Sequence, residues 1–354
     1  EIYWPVGYSG HALVRIDQVS IDAGTLSADP NDQAQFGQVL AKAPSGIQPI
    51  SQSADGVALG LGFETDHYRA DIGTTPLGFA VKSLVGGLRY SAADATRYQS
   101  LELFRRPVQS SVLSYAGTRD PVSGRTWGGV VRTGIGGRLS HSVNGRTRAI
   151  GGRAAVLTGR SVARNDELRL SVSQSHDVID RPNTQVNAGV ALTYWRFAKD
   201  LSEFTFGHGG YYSPQQYFSV DFPVRWTGRW RDIAYLLEPS VGVSWASSTD
   251  SDYFPTDSTL QAQAAANAAT PPEDLTLPTP IYQGGSSGAG FSYSLQGALE
   301  KRVAPNWFVG GGFRIDRAEF YSPNVLQLYL RYEIKPKRGA VEYPPRLLGT
   351  YADF

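Results

Sequence analysis

Three aromatic residues, Tyr98, Trp195 and Tyr329, fall on strand-like faces that otherwise carry charged or small polar groups. The same faces hold Arg132, Arg225, Arg314 and Arg331 together with Glu102, Asp221, Glu238, Asp316 and Glu333. That set suits recognition better than bond cleavage. A flat ring accepts the C–H face of a sugar, while guanidinium, carboxylate and amide groups pair with its hydroxyls. Simple packing accounts equally well for any one ring. Reactive constellations do not emerge from the sequence. The five histidines (His11, His67, His141, His176, His208) show no i, i+4 pair and no metal-ligand spacing. There is no cysteine, so thiolate sites and disulfides are excluded, and the one G-x-S-x-G match, G-G-S-S-G at 284–288, sits in a Gly/Ser-rich loop rather than at a strand-to-helix nucleophile elbow. Gly310–Phe313 (G-G-G-F) lies inside a strand pattern, where a phosphate cradle does not form. Glu102, Glu238 and Asp316 admit a paired-carboxylate hydrolase, but a charged channel holds such residues in any case. No cofactor and no metal are expected.

What positions these residues is alternation. From Val325 to Ile334 one face carries Leu326, Leu328, Leu330, Tyr332 and Ile334, and the other Val325, Gln327, Tyr329, Arg331 and Glu333. Successive strand side chains point to opposite faces, so this is an apolar ribbon backed by a polar one. Val57–Phe63, Leu168–Val172, Val186–Tyr194, Phe218–Trp226, Ile233–Val243, Phe291–Leu299 and Trp307–Ile315 repeat the pattern. Many such segments, split by turn residues and often bounded by Trp or Tyr, predict a transmembrane antiparallel β-barrel with lipid outside and water inside. Composition agrees. Hydrophobic content is 41% and mean hydropathy −0.27, and no run of about 18 apolar residues offers a membrane helix. Basic residues number 33 against 32 acidic, a net charge of +1 that gives nucleic acid no purchase.

The connections sharpen this reading. Outer-membrane barrels have short periplasmic turns and long external loops. Thr74–Gly78, Pro107–Gln109, the bend near Gly228–Arg231 and Lys301–Ala304 read as the short ones. Ala23–Asp55, Arg119–Thr126, Ala198–Gln215 and Ala246–Ser287 read as the long ones. With Phe204–Gly207 inside a folded loop, this gives about 14 strands, or about 16 if a hairpin hides within 23–55 or 66–91. Loop Ala246–Ser287 reads as an external lid with one helical turn near Gln261–Ala269. Residues 1–9 read as a linker remnant behind a processed or cut start, 10–335 as the barrel, and 336–354 as a tail. Pro344 and Pro345 bar that tail from a paired strand, so it hangs in the periplasm or folds into the lumen.

Six segments carry a family resemblance. They are Ala70–Phe79 (A-D-I-G-T-T-P-L-G-F), Phe104–Gly117 (F-R-R-P-V-Q-S-S-V-L-S-Y-A-G), Thr126–Val130 (T-W-G-G-V), Lys199–Tyr217 (ending G-G-Y-Y-S-P-Q-Q-Y), Asn306–Gly311 (N-W-F-V-G-G) and Pro344–Phe354 (P-P-R-L-L-G-T-Y-A-D-F). Together they resemble the C-terminal domain of the bacterial cellulose synthase operon protein C family (BcsC). The resemblance implies a 16-stranded barrel in the outer membrane of a Gram-negative bacterium, passively exporting the β-1,4-glucan that an inner-membrane synthase makes. It implies the cellulose chain, outer-membrane lipid, the synthase complex and a preceding array of periplasmic tetratricopeptide repeats as partners, with the barrel monomeric. On this view Tyr211, Tyr212 and Gln215 contact or gate the emerging chain, and Tyr351, Asp353 and Phe354 line the periplasmic entrance. A general solute porin is the alternative, and a barrel enzyme acting on polymer or lipid a third reading.

Overall fold

The computed structural model describes residues 1–276, 279–285, 290–317, 324–334, 339–345, 347 and 349. The chain opens with the hairpin β1 (Ile2–Val6) and β2 (Gly10–Thr25). A long connection then carries α1 (Pro30–Ala34), β3 (Phe36–Gly37) and α2 (Val39–Lys42). Next come β4 (Ser51–Glu64), β5 (Tyr68–Thr74), β6 (Leu84–Ala93) and β7 (Arg97–Pro107), then α3 (Val112–Ala116) and β8 (Thr118–Arg119). The strands β9 (Thr126–Val143), β10 (Arg146–Arg160), β11 (Asn165–Arg181) and β12 (Thr184–Phe197) follow. A connection bearing β13 (Phe204–Thr205) leads to β14 (Gln216–Trp230) and β15 (Ile233–Ser247). The last long connection holds β16 (Ser251–Asp252), α4 (Ser258–Ala269) and β17 (Ile281–Tyr282). The chain closes with β18 (Gly290–Ala304), β19 (Trp307–Arg317) and β20 (Asn324–Tyr332).

These strands build one antiparallel sheet of 16, in which β8 hangs from β9 and the others neighbour one another in chain order. Among the described residues no ladder joins β1 to β20. The up-and-down order follows from the solvent. In hydrocarbon each backbone N–H and C=O must find its partner within the protein, and a continuous ladder of neighbours supplies them for the strands between β1 and β20. Register is fixed by the hydrophobic set, because a one-residue slip would turn every apolar side chain inward. The outer face is correspondingly bare: Leu61 is 59% exposed, Ile150 55%, Phe222 53% and Leu328 81%. Ring pairs mark both rims of this face, Tyr194–Phe218 and Phe218–Trp245 at the long-loop end, Tyr68–Tyr90, Trp226–Tyr235 and Trp307–Tyr332 at the other. Rings with one polar edge settle at the two lipid–water boundaries.

Several expectations need correcting. Residues 1–9 are not a linker: Ile2–Val6 pairs with Gly10–Val14. The hidden hairpin lies within 66–91, as β5 and β6. Thr74–Gly78 and Pro107–Gln109 are not short-side turns. Leu77 N–H donates back to the Val57 carbonyl (2.9 Å) and Phe79 packs edge-on against Tyr115 of α3, so both segments lie with the long loops. The short turns are instead 7–9, 65–67, 94–96, 144–145, 182–183, 231–232 and 305–306. The helical turn anticipated near Gln261–Ala269 is the 12-residue α4, whose N-terminus Asp257 caps by accepting from Thr259 and Leu260 N–H.

The four long connections do not dangle separately. Phe36 and Leu40, Leu113, Phe206, and Tyr253, Phe254 and Leu260 share one core, with Trp127 at 0% exposure among them. Trp127 meets Phe36 edge-on at 5.5 Å and Phe206 at 5.6 Å. Gly128 beside it holds φ +98° and has no room for a side chain, since a Cβ would stand 2.3 Å from the Leu113 carbonyl. Asn267 of α4 donates to the Leu40 and Ala41 carbonyls (2.8 and 2.9 Å), tying the last connection to the first. Trp127→Ala should cost this lid about 3–5 kcal/mol, as large-to-small core substitutions do. Limited proteolysis should then cut within 26–50 and 248–276 while the barrel keeps its heat-resistant gel mobility. Unchanged cleavage would contradict a shared core.

Candidate functional site

On the inner face at the long-loop end, β9, β10 and β12 bring three side chains together around one carboxylate on β11. Glu167, whose side chain has no solvent exposure, accepts from Arg132 Nε, from Arg153 Nη2 (2.7 Å) and from Trp195 Nε1 (2.8 Å). Fixing the indole N–H fixes the ring. Around it stand Tyr212 (6.0 Å), Tyr217 (6.2 Å) and the Arg169 guanidinium (5.4 Å), giving an aromatic shelf fringed by donors. A shelf of this kind presents π-faces and hydrogen-bond donors to a polyhydroxylated chain while offering it no nucleophile.

Midway along the wall, Arg225 pairs with Glu238 (2.8 Å) and Arg314 with Asp316 (2.7 Å). All four line one recess of about 280 Å³ with Gln296, Ser240 and Ser294. Nearby Asp221 accepts from Ser219 Oγ (2.8 Å). On the other arc Tyr98 OH accepts from Arg89 (3.0 Å), and Glu102 lies 4.0 Å from Arg106, which is held mainly by Asp71.

At the short-turn end, Glu300 gathers Tyr329 and Arg331. It accepts from the phenol at 2.9 Å and from Arg331 Nη2 at 2.7 Å, while Arg331 also reaches Glu333 and lies over Phe308 at 3.9 Å. The tail crosses this region. Arg302 donates to the Gly339 carbonyl (2.7 Å), Val341 packs with Ala234 and Phe308, and Tyr343 OH reaches the Pro182 carbonyl (3.2 Å) at the β11–β12 turn. The tail then returns to the wall, where Leu347 covers Gly312 and Arg15 donates to the Gly349 carbonyl. Tyr351, Asp353 and Phe354 lie outside the described residues.

The gate candidates divide. Tyr211 is 2% exposed, packed with Phe197, Leu201 and Val130, its OH accepting from Asn165 (3.1 Å). It therefore holds the loop together and does not face the lumen. Gln215 accepts from Thr249 N–H (2.9 Å), joining two connections. Only Tyr212 of the three reaches the shelf, through Trp195 and Tyr217. The residues missed from sequence are Glu167, Arg153, Arg169 and Glu300. Glu167 and Glu300 extend alternating runs recognised at Leu168 and Leu299, and carrying each run one residue further would have found them.

His208 in the same loop is fully buried. Its Nε2–H donates to the Asp252 carbonyl (2.8 Å), and Nδ1 has no partner. Burial pushes its pKa down, partly offset by that carbonyl and by Asp200 and Asp252. A depressed folded-state value means its stabilisation is complete above the unfolded value of about 6.5 and is lost as pH falls. Glu203 acts the other way: burial and Asp200 raise its pKa, so it takes up a proton more readily in the folded loop. The difference between wild type and His208→Gln isolates the histidine. From pH 7 to 5, hydrogen exchange at 204–208 should accelerate more in wild type than in His208→Gln, and equal acceleration would count against this sign. Glu167→Gln, which weakens the clamp on two arginines that keep some water contact, should cost about 1–3 kcal/mol. Urea melts of the barrel should show that loss. Deleting the chain from residue 335 onward should raise single-channel conductance in planar bilayers, and an unchanged conductance would place the tail outside the conducting path.

The family model described as cellulose synthase operon protein C C-terminus matches residues 1–335. Cellulose synthase operon protein C of Xanthomonas axonopodis pv. citri is 37% identical over 343 residues, which cover 93% of this chain and 22% of that protein. Its counterpart in Salmonella typhimurium is 34% identical over 352 residues, or 98% of this chain and 29% of that protein. The chain thus spans less than a third of the length of these relatives. Among solved structures, a bacterial polysaccharide outer membrane secretin superposes with a TM-score of 0.50 at 10% identity, over 93% of this chain and 86% of that one, a likeness of fold. With its lipid-facing ribbons and aromatic rims, the chain is an outer-membrane β-barrel and belongs to the cellulose synthase operon protein C C-terminal family.

Proposed function

We propose that this barrel is the outer-membrane exit through which a β-1,4-glucan, polymerised at the inner membrane, leaves the cell. The observation that carries the reading is the inner face itself. Tyr329 and Arg331 at the short-turn end, the Arg225–Glu238 and Arg314–Asp316 pairs midway, and the Trp195 shelf at the long-loop end string ring faces and hydroxyl partners along the pore. The cargo is uncharged, and the wall sets these charges against their opposites, so no ion is favoured over a neutral polymer. Export is passive on this account, with chain synthesis behind it supplying the push. Catalysis has little support. Glu102, Glu238, Asp316 and Glu333 each lie against an arginine, which holds charge in place rather than passing a proton to a leaving group. An always-open solute porin fits less well, since four long outer connections are cemented into one core. That lid must shift for polymer to pass. The longer relatives leave room for the tetratricopeptide repeats and synthase contacts that would feed the pore.

The test is replacement of the barrel in a cellulose-secreting bacterium by this chain, fused behind the host's periplasmic repeats. Calcofluor-binding cellulose should reappear outside the cell. Assembled barrel without secreted cellulose would sink the reading. In purified protein, Trp195→Ala with Tyr217→Ala should weaken channel block by cello-oligosaccharides about thirtyfold, from about 1 kcal/mol per ring.

A further inference from the structure

The aromatic rim at the short-turn end is interrupted on one arc of the outer wall. Tyr68 and Tyr90 stand on one side of the gap, Trp226 and Tyr235 on the other. Between them, cross-strand partners run Arg97–His141–Arg148–Gln174 over β7, β9, β10 and β11. Nearer the turn, Arg146 faces His176. All six side chains are exposed on the lipid side, and Arg148 Nε donates to Gln174 Oε1 (3.0 Å). Among the described residues no carboxylate forms an ion pair with Arg97, Arg146 or Arg148. Asp94, next to Arg97 in the β6–β7 turn, is engaged by the backbone N–H groups of Thr96 and Arg97 at 2.8 Å each.

Deeper in the membrane from this row, the wall is dented. Gly137 and Gly152 are direct cross-strand partners on the lipid face, a bare patch among Leu101, Leu139, Ile150 and Leu170. Two contiguous recesses of about 590 and 630 Å³ share Leu139 and Ile150, and the larger reaches Arg97, His141 and Arg148. Three guanidinium groups at a lipid–water boundary, with Asp94 beside Arg97 as the one carboxylate whose charge is seen to act on them, leave a net positive arc that calls for an anion, and a double apolar recess below them calls for paired acyl chains.

We propose that this arc binds an anionic diacyl phospholipid of the periplasmic leaflet, its phosphate on Arg97, Arg146 and Arg148 and its chains over the Gly137–Gly152 dent. Each arginine near an anionic headgroup contributes about 1 kcal/mol, so each engaged arginine should give about fivefold preference over a zwitterionic lipid. The test is native mass spectrometry of the full detergent-solubilised chain with equimolar phosphatidylglycerol and phosphatidylcholine. Wild type should retain the anionic lipid preferentially. Arg97→Gln/Arg146→Gln/Arg148→Gln should bring the ratio to about one, while the corresponding triple lysine variant keeps the preference. Gly137→Leu/Gly152→Leu should reduce retention of both lipids with gel heat-modifiability intact. Equal retention of the two lipids by wild type would overturn the proposal, and that reading holds whether or not the glutamine variant assembles. So would a preference that survives the triple glutamine change, or retention unaffected by filling the dent.

Discussion

Everything in this molecule depends on one constraint: within hydrocarbon, a backbone donor or acceptor left without a partner costs several kcal/mol. A sheet whose strands neighbour one another in chain order meets that demand by local pairing, and it forces side chains alternately toward lipid and toward the lumen. The outer ribbon therefore carries Leu, Val, Phe and Ile at exposures that would be untenable in water. The inner ribbon is free to be polar because water reaches it. Function follows from that freedom, since only the inner face can hold arginines, carboxylates and amphipathic rings along a path through the membrane.

The inner face does not leave its charges loose. Glu167 and Glu300 each gather arginine and an aromatic hydrogen-bond donor, and both clusters orient a ring: Trp195 through its indole N–H, Tyr329 through its phenol. Ion pairing here organises ring faces, and the rings are what a neutral polymer would feel. The two ends of the pore are treated differently. At the outer end four connections are cemented by an apolar core around Trp127. At the inner end the described tail residues are held by hydrogen bonds from Arg302, Arg229 and Arg15, by Tyr343 OH on the Pro182 carbonyl, and by Val341 packed on Ala234 and Phe308.

Much of the wall was legible in the sequence because period-two alternation is imposed by lipid on every strand. The apolar run Leu326–Leu328–Leu330 needs no tertiary information to assign. The sidedness of the turns was less legible. Pro76-Leu77-Gly78 resembles a tight hairpin, yet it folds back onto Val57, a contact with a different strand pair that local pattern does not encode. The strand Ile2–Val6 was lost because five residues are too short a run to establish a period. At the site, faces could be read but partners could not. Which arginine meets which carboxylate is set by register between strands, so the convergence of Arg132, Arg153 and Trp195 on Glu167 appears only in three dimensions. Tyr211 shows the opposite error. Its place in a distinctive motif says that it matters, and its burial against Phe197 and Leu201 says that it matters for packing.

The central claim is that polymer travels along the inner face, and site-specific photo-cross-linking during synthesis tests it most directly. A benzophenone side chain placed at Tyr217, on the shelf, should become attached to cellulase-sensitive glucan in secreting cells. The same group at Phe218, one residue on and facing lipid, should not. Glucan captured equally at both positions, or at neither while secretion continues, would contradict the account.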